Sequence, residues 1–192
     1  MLLDRGVQDR IKALNSAELK AKHAKLTENL EPPSEAVQKQ IEALRTKFAV
    51  AKGSAVDGAQ VFTKNCAVCH QIDGTGALIG PQLDGIGGRG LERILEDTLD
   101  PNRNVDVNFR SHIIVLKDGD VLSGLFRREE GELLVLADST GKEITIPKKE
   151  IESRRESETS LMPANFGDII PEKEFQDLIA FLMSKGVPRG EK

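Results

Sequence analysis

The chain has 192 residues, with 27 Lys and Arg against 31 Asp and Glu, a formal net charge of −4 and 39% hydrophobic residues. That length fits one large domain or two small ones, and the slight acidity leaves no basic excess to hold a phosphate backbone, which argues against nucleic acid as a partner. No stretch approaches the ~18 apolar residues of a membrane span, the N-terminal MLLDRGVQDRIKALN carries charges where a secretion signal has its apolar run, and two Cys exclude a multi-disulfide scaffold. Aromatic residues are scarce: seven Phe, no Trp and no Tyr. A core this poor in rings is expected to borrow apolar volume from another body, such as a cofactor.

Residues 1–50 read as helical. Ser16 is expected to cap a first helix running to about Leu30, and Glu31-Pro32-Pro33 breaks it, because Pro lacks the N–H and disfavours helix in the residue before it. Ser34 is expected to cap a second helix, with Val37, Ile41, Leu44 and Phe48 on one face. That stripe needs a partner surface, and packing on the neighbouring domain is the plainest expectation. Gly53-Ser54 marks a boundary, so 1–52 reads as a helical extension or connector. Asp57 is expected to cap a third helix from Gly58 to about Cys69. The segment QIDGTGALIGPQLDGIGGRG follows, irregular, with seven Gly in twenty residues. A fourth helix spans Leu91 to Leu99, and Asp100-Pro101 ends it.

Over 109–151 the period changes. Ile113-Ile114-Val115-Leu116 and Val121-Leu122-Ser123-Gly124-Leu125-Phe126 flank Lys117-Asp118-Gly119-Asp120, a hairpin signal. Leu133-Leu134-Val135-Leu136 and Glu143-Ile144-Thr145-Ile146 read as further strands, and Pro147 to Ile151 as a short closing turn or strand. Together they predict a small, strongly bent sheet or barrel. Lys148 to Glu158 mixes both charge signs and reads as a solvated linker. Pro171 starts a last helix with Phe175, Leu178, Ile179 and Leu182 on one face, and Gly186 stops it. Helices, then strands, then one helix is the order of a host domain over 53–186 interrupted by a β-rich insert over 107–157, with a tail at 187–192.

Cys66-Ala67-Val68-Cys69-His70 is the motif with chemistry in it. Cys-x-x-Cys-His is the spacing of covalent haem attachment. On a helical turn, two thiols three residues apart reach the two vinyl groups of one porphyrin edge, and the next residue is held beneath the iron. The rival readings explain less. A thioredoxin-like Cys-x-x-Cys wants a βαβ context. A structural zinc wants four ligands, and beyond the motif only His23 and His112 remain. A Cys66–Cys69 disulfide leaves His70 without a role. Gly58, Phe62 and Cys66 recur every four residues, so Gly58 admits a closely crossing helix, with Phe181 and Leu182 of the last helix as candidates. Ile79-Gly80-Pro81 is a rigid loop placed to offer a carbonyl to the second nitrogen of His70, fixing its tautomer.

Gly58, Phe62, Cys66-Ala67-Val68-Cys69-His70, Gly80-Pro81-Gln82-Leu83 and Leu161-Met162-Pro163 before a last helix resemble a class I c-type cytochrome. With the β-rich interruption, the chain is similar over most of 53–186 to the haem-binding domains at the ends of large predicted dehydrogenases of Planctomycetes and Verrucomicrobia. The resemblance implies a mainly α cytochrome c fold with an inserted small antiparallel β module, α+β overall, and one covalent haem c. The family's Leu-Met-Pro maps onto Leu161-Met162-Pro163, which makes Met162 the expected sixth ligand opposite His70. Its position in a loop stiffened by Pro163 agrees. Met183 in the last helix and His112 at the start of a strand are the rivals, while His23 lies between Lys22 and Lys25 and is expected to be solvated.

A His/Met pair fills both axial positions, and thioether sulfur raises the potential. The expected function is therefore electron transfer without a catalytic constellation, from a dehydrogenase domain or partner to another redox protein. The alternatives are a haem enzyme or ligand sensor with a displaceable sixth ligand, or a partner-docking module built on the β insert. Haem c is attached outside the cytoplasm, so the expected location is periplasmic or otherwise exported. The natural protein is then expected to extend beyond the N-terminus of this sequence.

Overall fold

The computed structural model describes residues 11, 16–28, 35–50 and 53–186. The expected Pro32-Pro33 break, the Ser34 cap and the 187–192 tail lie outside the described residues. The chain divides into two compact units, 1–38 and 39–192.

In the first unit, α1 (Ala17–Thr27) starts where Ser16 Oγ accepts the Leu19 N–H at 3.3 Å, and none of its residues is buried. Helix α2 (Glu35–Val50) begins in this unit and continues into the second. There Ile41 is buried, and Ala43, Leu44 and Lys47 line a groove with Gly167, Ile170 and Phe175. Lys47 Nζ makes a 2.6 Å ion pair with Glu172 at its exposed rim. This part of the apolar stripe is thus covered by the same chain.

Helix α3 (Ala55–Asn65) corrects the expected Asp57 cap: Ser54 Oγ accepts the Asp57 N–H at 3.2 Å, so the helix starts earlier and Asp57 sits in its first turn. It ends at Asn65, and Cys66 is the C-terminal cap. Gly58, Val61 and Phe62 form its buried side. A Cβ on Gly58 would overlap the carbonyl of Asp177, and the rings of Phe62 and Phe181 lie 5.5 Å apart. The partner is α6 (Glu172–Ser184), which buries Phe175, Leu178, Ile179, Phe181 and Leu182. Helix α4 (Leu91–Leu99) buries Ile94, Leu95 and Leu99. Its buried Glu96 pairs with Arg93 at 2.9 Å and with Arg103, so the carboxylate is not left alone in the interior.

The glycine-rich segment contains a small hairpin, β1 (Gln71–Ile72) and β2 (Thr75–Gly76), turned by Asp73 and Gly74 at φ 49° and 77°. The larger sheet is antiparallel, in the order β6-β5-β4-β3-β7. It comprises β3 (Arg110–Leu116), β4 (Val121–Glu130), β5 (Leu133–Ala137), β6 (Glu143–Pro147) and β7 (Ile151–Ser160). Ile114, Leu134, Leu136 and Ile146 form its core, flanked by Leu122, Phe126 and Ile151. A short 3-10 turn, Lys148–Glu150, brings β7 back beside β3. Arg110 and Ser160 are Cα partners there. Strand β7 corrects the solvated-linker expectation for Lys148 to Glu158. Its residues are mostly exposed and half of them are charged, so it pairs through backbone without an apolar alternation. A register shift between Phe126 and Arg128 leaves Arg127 as a bulged residue opposite β5. After β7 come the short helix α5 (Phe166–Ile169) and then α6. The described residues are a mixed helix-and-sheet structure, and none of their helices is long and apolar enough to cross a membrane.

Candidate functional site

The Cys66–His70 turn is a direct product of how α3 stops. The Cys66 and Ala67 N–H groups both donate to Phe62 O, at 2.8 and 3.0 Å. The Cys69 and His70 N–H groups then donate to Cys66 O, at 3.1 and 2.9 Å. This closes a tight turn that holds Cys66, Cys69 and His70 half-buried, with Val68 outermost at 47% exposed.

Both cysteines are free. Burial, with a smaller contribution from Cys69, pushes the Cys66 thiol up to about 12. Burial and then Asp138 raise Cys69 as well. Reactive redox cysteines sit in surroundings that lower the thiol pKa, so these thiols are poorly suited to disulfide exchange. Among the described residues, no group of three or more His, Cys, Asp or Glu side chains is arranged to hold a metal ion.

His70 Nδ1 lies 2.8 Å from the Pro81 carbonyl oxygen. A carbonyl only accepts, so Nδ1 carries the proton and Nε2 keeps its lone pair. Burial lowers the His70 pKa, with the Pro81 hydrogen bond opposing, which favours the neutral ring. The loop closes on the ring because residue 80 has no side chain: a Cβ there would stand 2.8 Å from His70 Cε1. The Ile79 and Gly80 N–H groups donate to Cys69 O, at 3.1 and 2.8 Å. Two neutral thiols and one imidazole with a free Nε2 are a donor set that fits a covalently held haem.

Residues 55–112 match the family model for cytochrome c. No curated protein matches the chain. The match covers α3, the Cys66–His70 turn and α4, and it supports a c-type cytochrome domain with a haem-binding, electron-transfer function. Cytochrome c domains bind haem c covalently.

The match ends before Met162. Met162 is half-buried in the bend after β7, and its N–H donates to Ser160 Oγ at 3.0 Å. The Ser160 N–H in turn donates to Asn102 Oδ1 at 2.8 Å. Met183 is half-buried on α6. His112 is buried in β3, where its Nδ1 accepts from Arg154 Nε at 3.3 Å and its ring centroid lies 5.9 Å from that of Phe126. That ring is committed to the sheet. His23 lies on α1 of the first unit and is half-buried. Sequence reasoning missed Arg127, whose guanidinium reaches the loop ahead of Pro81: Nη2 donates to Leu78 O at 2.9 Å and Nη1 to Ile79 O at 3.3 Å. No local pattern announces a contact 48 positions away.

Proposed function

We propose that this chain is a monohaem electron-transfer domain, with haem c bound through Cys66 and Cys69 and with His70 and Met162 as axial ligands. The observation that carries the reading is the Cys66-x-x-Cys69-His70 turn, whose His70 Nδ1 is occupied by Pro81 O at 2.8 Å and whose Nε2 is left free. Bound haem c supplies a one-electron ferric/ferrous couple. The chain's own residues do the rest. The half-buried Cys66 and Cys69 thiols would hold the haem covalently, Pro81 would orient His70 and raise its basicity, and Met162 would be the second iron ligand, in place of peroxide or oxygen.

The interrupted pattern, with Arg110–Ser160 of the sheet between α4 and α5, supports the type of haem domain that trails predicted dehydrogenases. In that setting an upstream dehydrogenase domain or partner donates the electron, a second redox protein accepts it, residues 1–52 act as the connector, and the protein is exported to the periplasm or beyond. With a net charge of only −4, electrostatic steering of partners is mild.

The test is expression with a haem-maturation system. The intact mass should exceed that of the polypeptide by one haem, acid–acetone should leave the pigment in place, and the ferric protein should show the weak near-infrared band of thioether ligation. An extractable pigment overturns the covalent reading, and absence of the near-infrared band overturns Met162.

A further inference from the structure

We propose that Arg127, a bulged residue of the β-sheet, is a positioning residue for His70, so that the sheet tunes the haem site without touching the iron. The inference rests on the haem reading above.

The bulge at Arg127 breaks the pairing of β4 with β5, and bulges re-aim side chains. Here the guanidinium fork is aimed at two consecutive carbonyls, Leu78 O and Ile79 O. On its other side the same loop is held by Cys69 O, which accepts from the Ile79 and Gly80 N–H groups. The next residue is Pro81, whose carbonyl meets His70 Nδ1. The loop is therefore clamped between the sheet and the Cys-x-x-Cys-His turn immediately before the atom that orients the histidine. A second contact acts at the same place. Gly141, in the turn joining β5 to β6, stands so close that a Cβ would come within 2.8 Å of Val68 O and 3.0 Å of Ile79 Cδ1. Arg suits this task because its planar guanidinium holds its donors in a fixed fork, whereas those of an ammonium rotate on a flexible stem.

Without the fork, the Leu78 and Ile79 carbonyls turn to water and the loop loosens. The Pro81–His70 hydrogen bond then weakens, and His70 becomes a poorer electron donor. A poorer donor stabilises ferric iron less, so the reduction potential rises.

The test compares Arg127→Ala, Arg127→Lys and Arg128→Ala in the matured protein. Arg128, the neighbour, pairs with Glu130 and Glu143 and serves as the control. The readouts are the reduction potential and amide exchange at Ile79 and Gly80. Arg127→Ala should raise the potential and speed both amides by about tenfold, in line with loss of a charge-assisted hydrogen bond. Arg127→Lys should fall between it and wild type on both, and it keeps the test open if the Ala variant does not fold. Arg128→Ala should match wild type. The clamp is overturned if both Arg127 variants match Arg128→Ala on exchange and potential. If no haem is attached, the exchange comparison on the same chains still judges the clamp, while the absence of a potential counts against the haem reading alone.

Discussion

The carbonyl oxygen of Pro81 approaches Nδ1 of His70 to 2.8 Å, over a glycine whose Cβ would press on the ring at 2.8 Å from Cε1. Residue 80 is therefore where this contact is most easily disturbed. Gly80→Ala should force the loop away from the imidazole, raise the reduction potential and destabilise the matured protein by about 1–3 kcal/mol, the usual range for overpacking. Gly88→Ala is the comparison, since a Cβ there meets nothing within 4 Å. Voltammetry and urea unfolding of both variants check this, and equal values for the two would remove Gly80 from the site.

Met162→Ala should open a coordination position, lower the potential and let the reduced protein bind carbon monoxide readily, because the thioether is what favours ferrous iron. Met183→Ala and His112→Ala should leave the visible and near-infrared spectra unchanged. A spectrum altered by either of those two but not by Met162→Ala would reassign the sixth ligand.

Gly58→Ala should be among the most damaging single-methyl changes in the protein, because its Cβ would overlap the Asp177 carbonyl at the α3–α6 crossing. Backbone cannot swing aside as a side chain can, so the loss should lie at the upper end of about 1–3 kcal/mol. Denaturant midpoints measured at an unchanged m-value test it. A loss under ~0.5 kcal/mol would mean that the two helices separate without penalty.

Asp177 predicts part of the acid limit of stability. Its Oδ1 accepts from the Ser54 N–H at 2.6 Å and from Lys173 Nζ at 2.6 Å. Burial alone would push the carboxyl up, but the Lys173 ammonium and the Ser54 N–H outweigh it and hold it below its ordinary 3.8. The native carboxyl thus binds its proton less readily than the unfolded one. Its contribution is present above the unfolded value and is lost as pH falls through the lower native value. Unfolding midpoints from about pH 5 to about pH 3 should fall more steeply for wild type than for Asp177→Asn. Parallel curves would show that the carboxylate adds nothing at this end of α3.

Much of the helical frame was legible because its signals are local. Gly58, Phe62 and Cys66 lie one helical turn apart, and the four apolar positions read on the last helix are all buried on α6, together with Phe181. The Asp-Gly turn at 118–119 announced the β3–β4 pairing, which has Val115 opposite Val121. Other features carried no such mark. Strand β7 reads IESRRESETS, with charges on both faces, and only its pairing with β3 makes it a strand. Ser54 and Asp57 are both good caps, and sequence does not say which hydroxyl or carboxylate reaches back to the free N–H groups. The Ser160–Asn102 bond and the Arg127 fork join residues far apart in sequence, so they became visible only once the sheet was in place.

The pairing of Arg110 with Ser160 puts the chain's way into the large sheet beside its way out. For the search by which α3 finds α6, the relevant length is then shorter than the 123 positions between Ser54 and Asp177. The three successive hairpins from β3 to β6 close locally, and the entropy of each closure grows only slowly with loop length. Once β7 has joined β3, the last helix is tethered near α4 by a short stretch on either side of the sheet. Local contacts thus stand in for one slow, long-range encounter, which is the arrangement that favours fast folding. Length added at the hairpin turns of this sheet should leave that encounter untouched, whereas length added between Leu99 and Arg110, or between Ser160 and Phe166, should slow it.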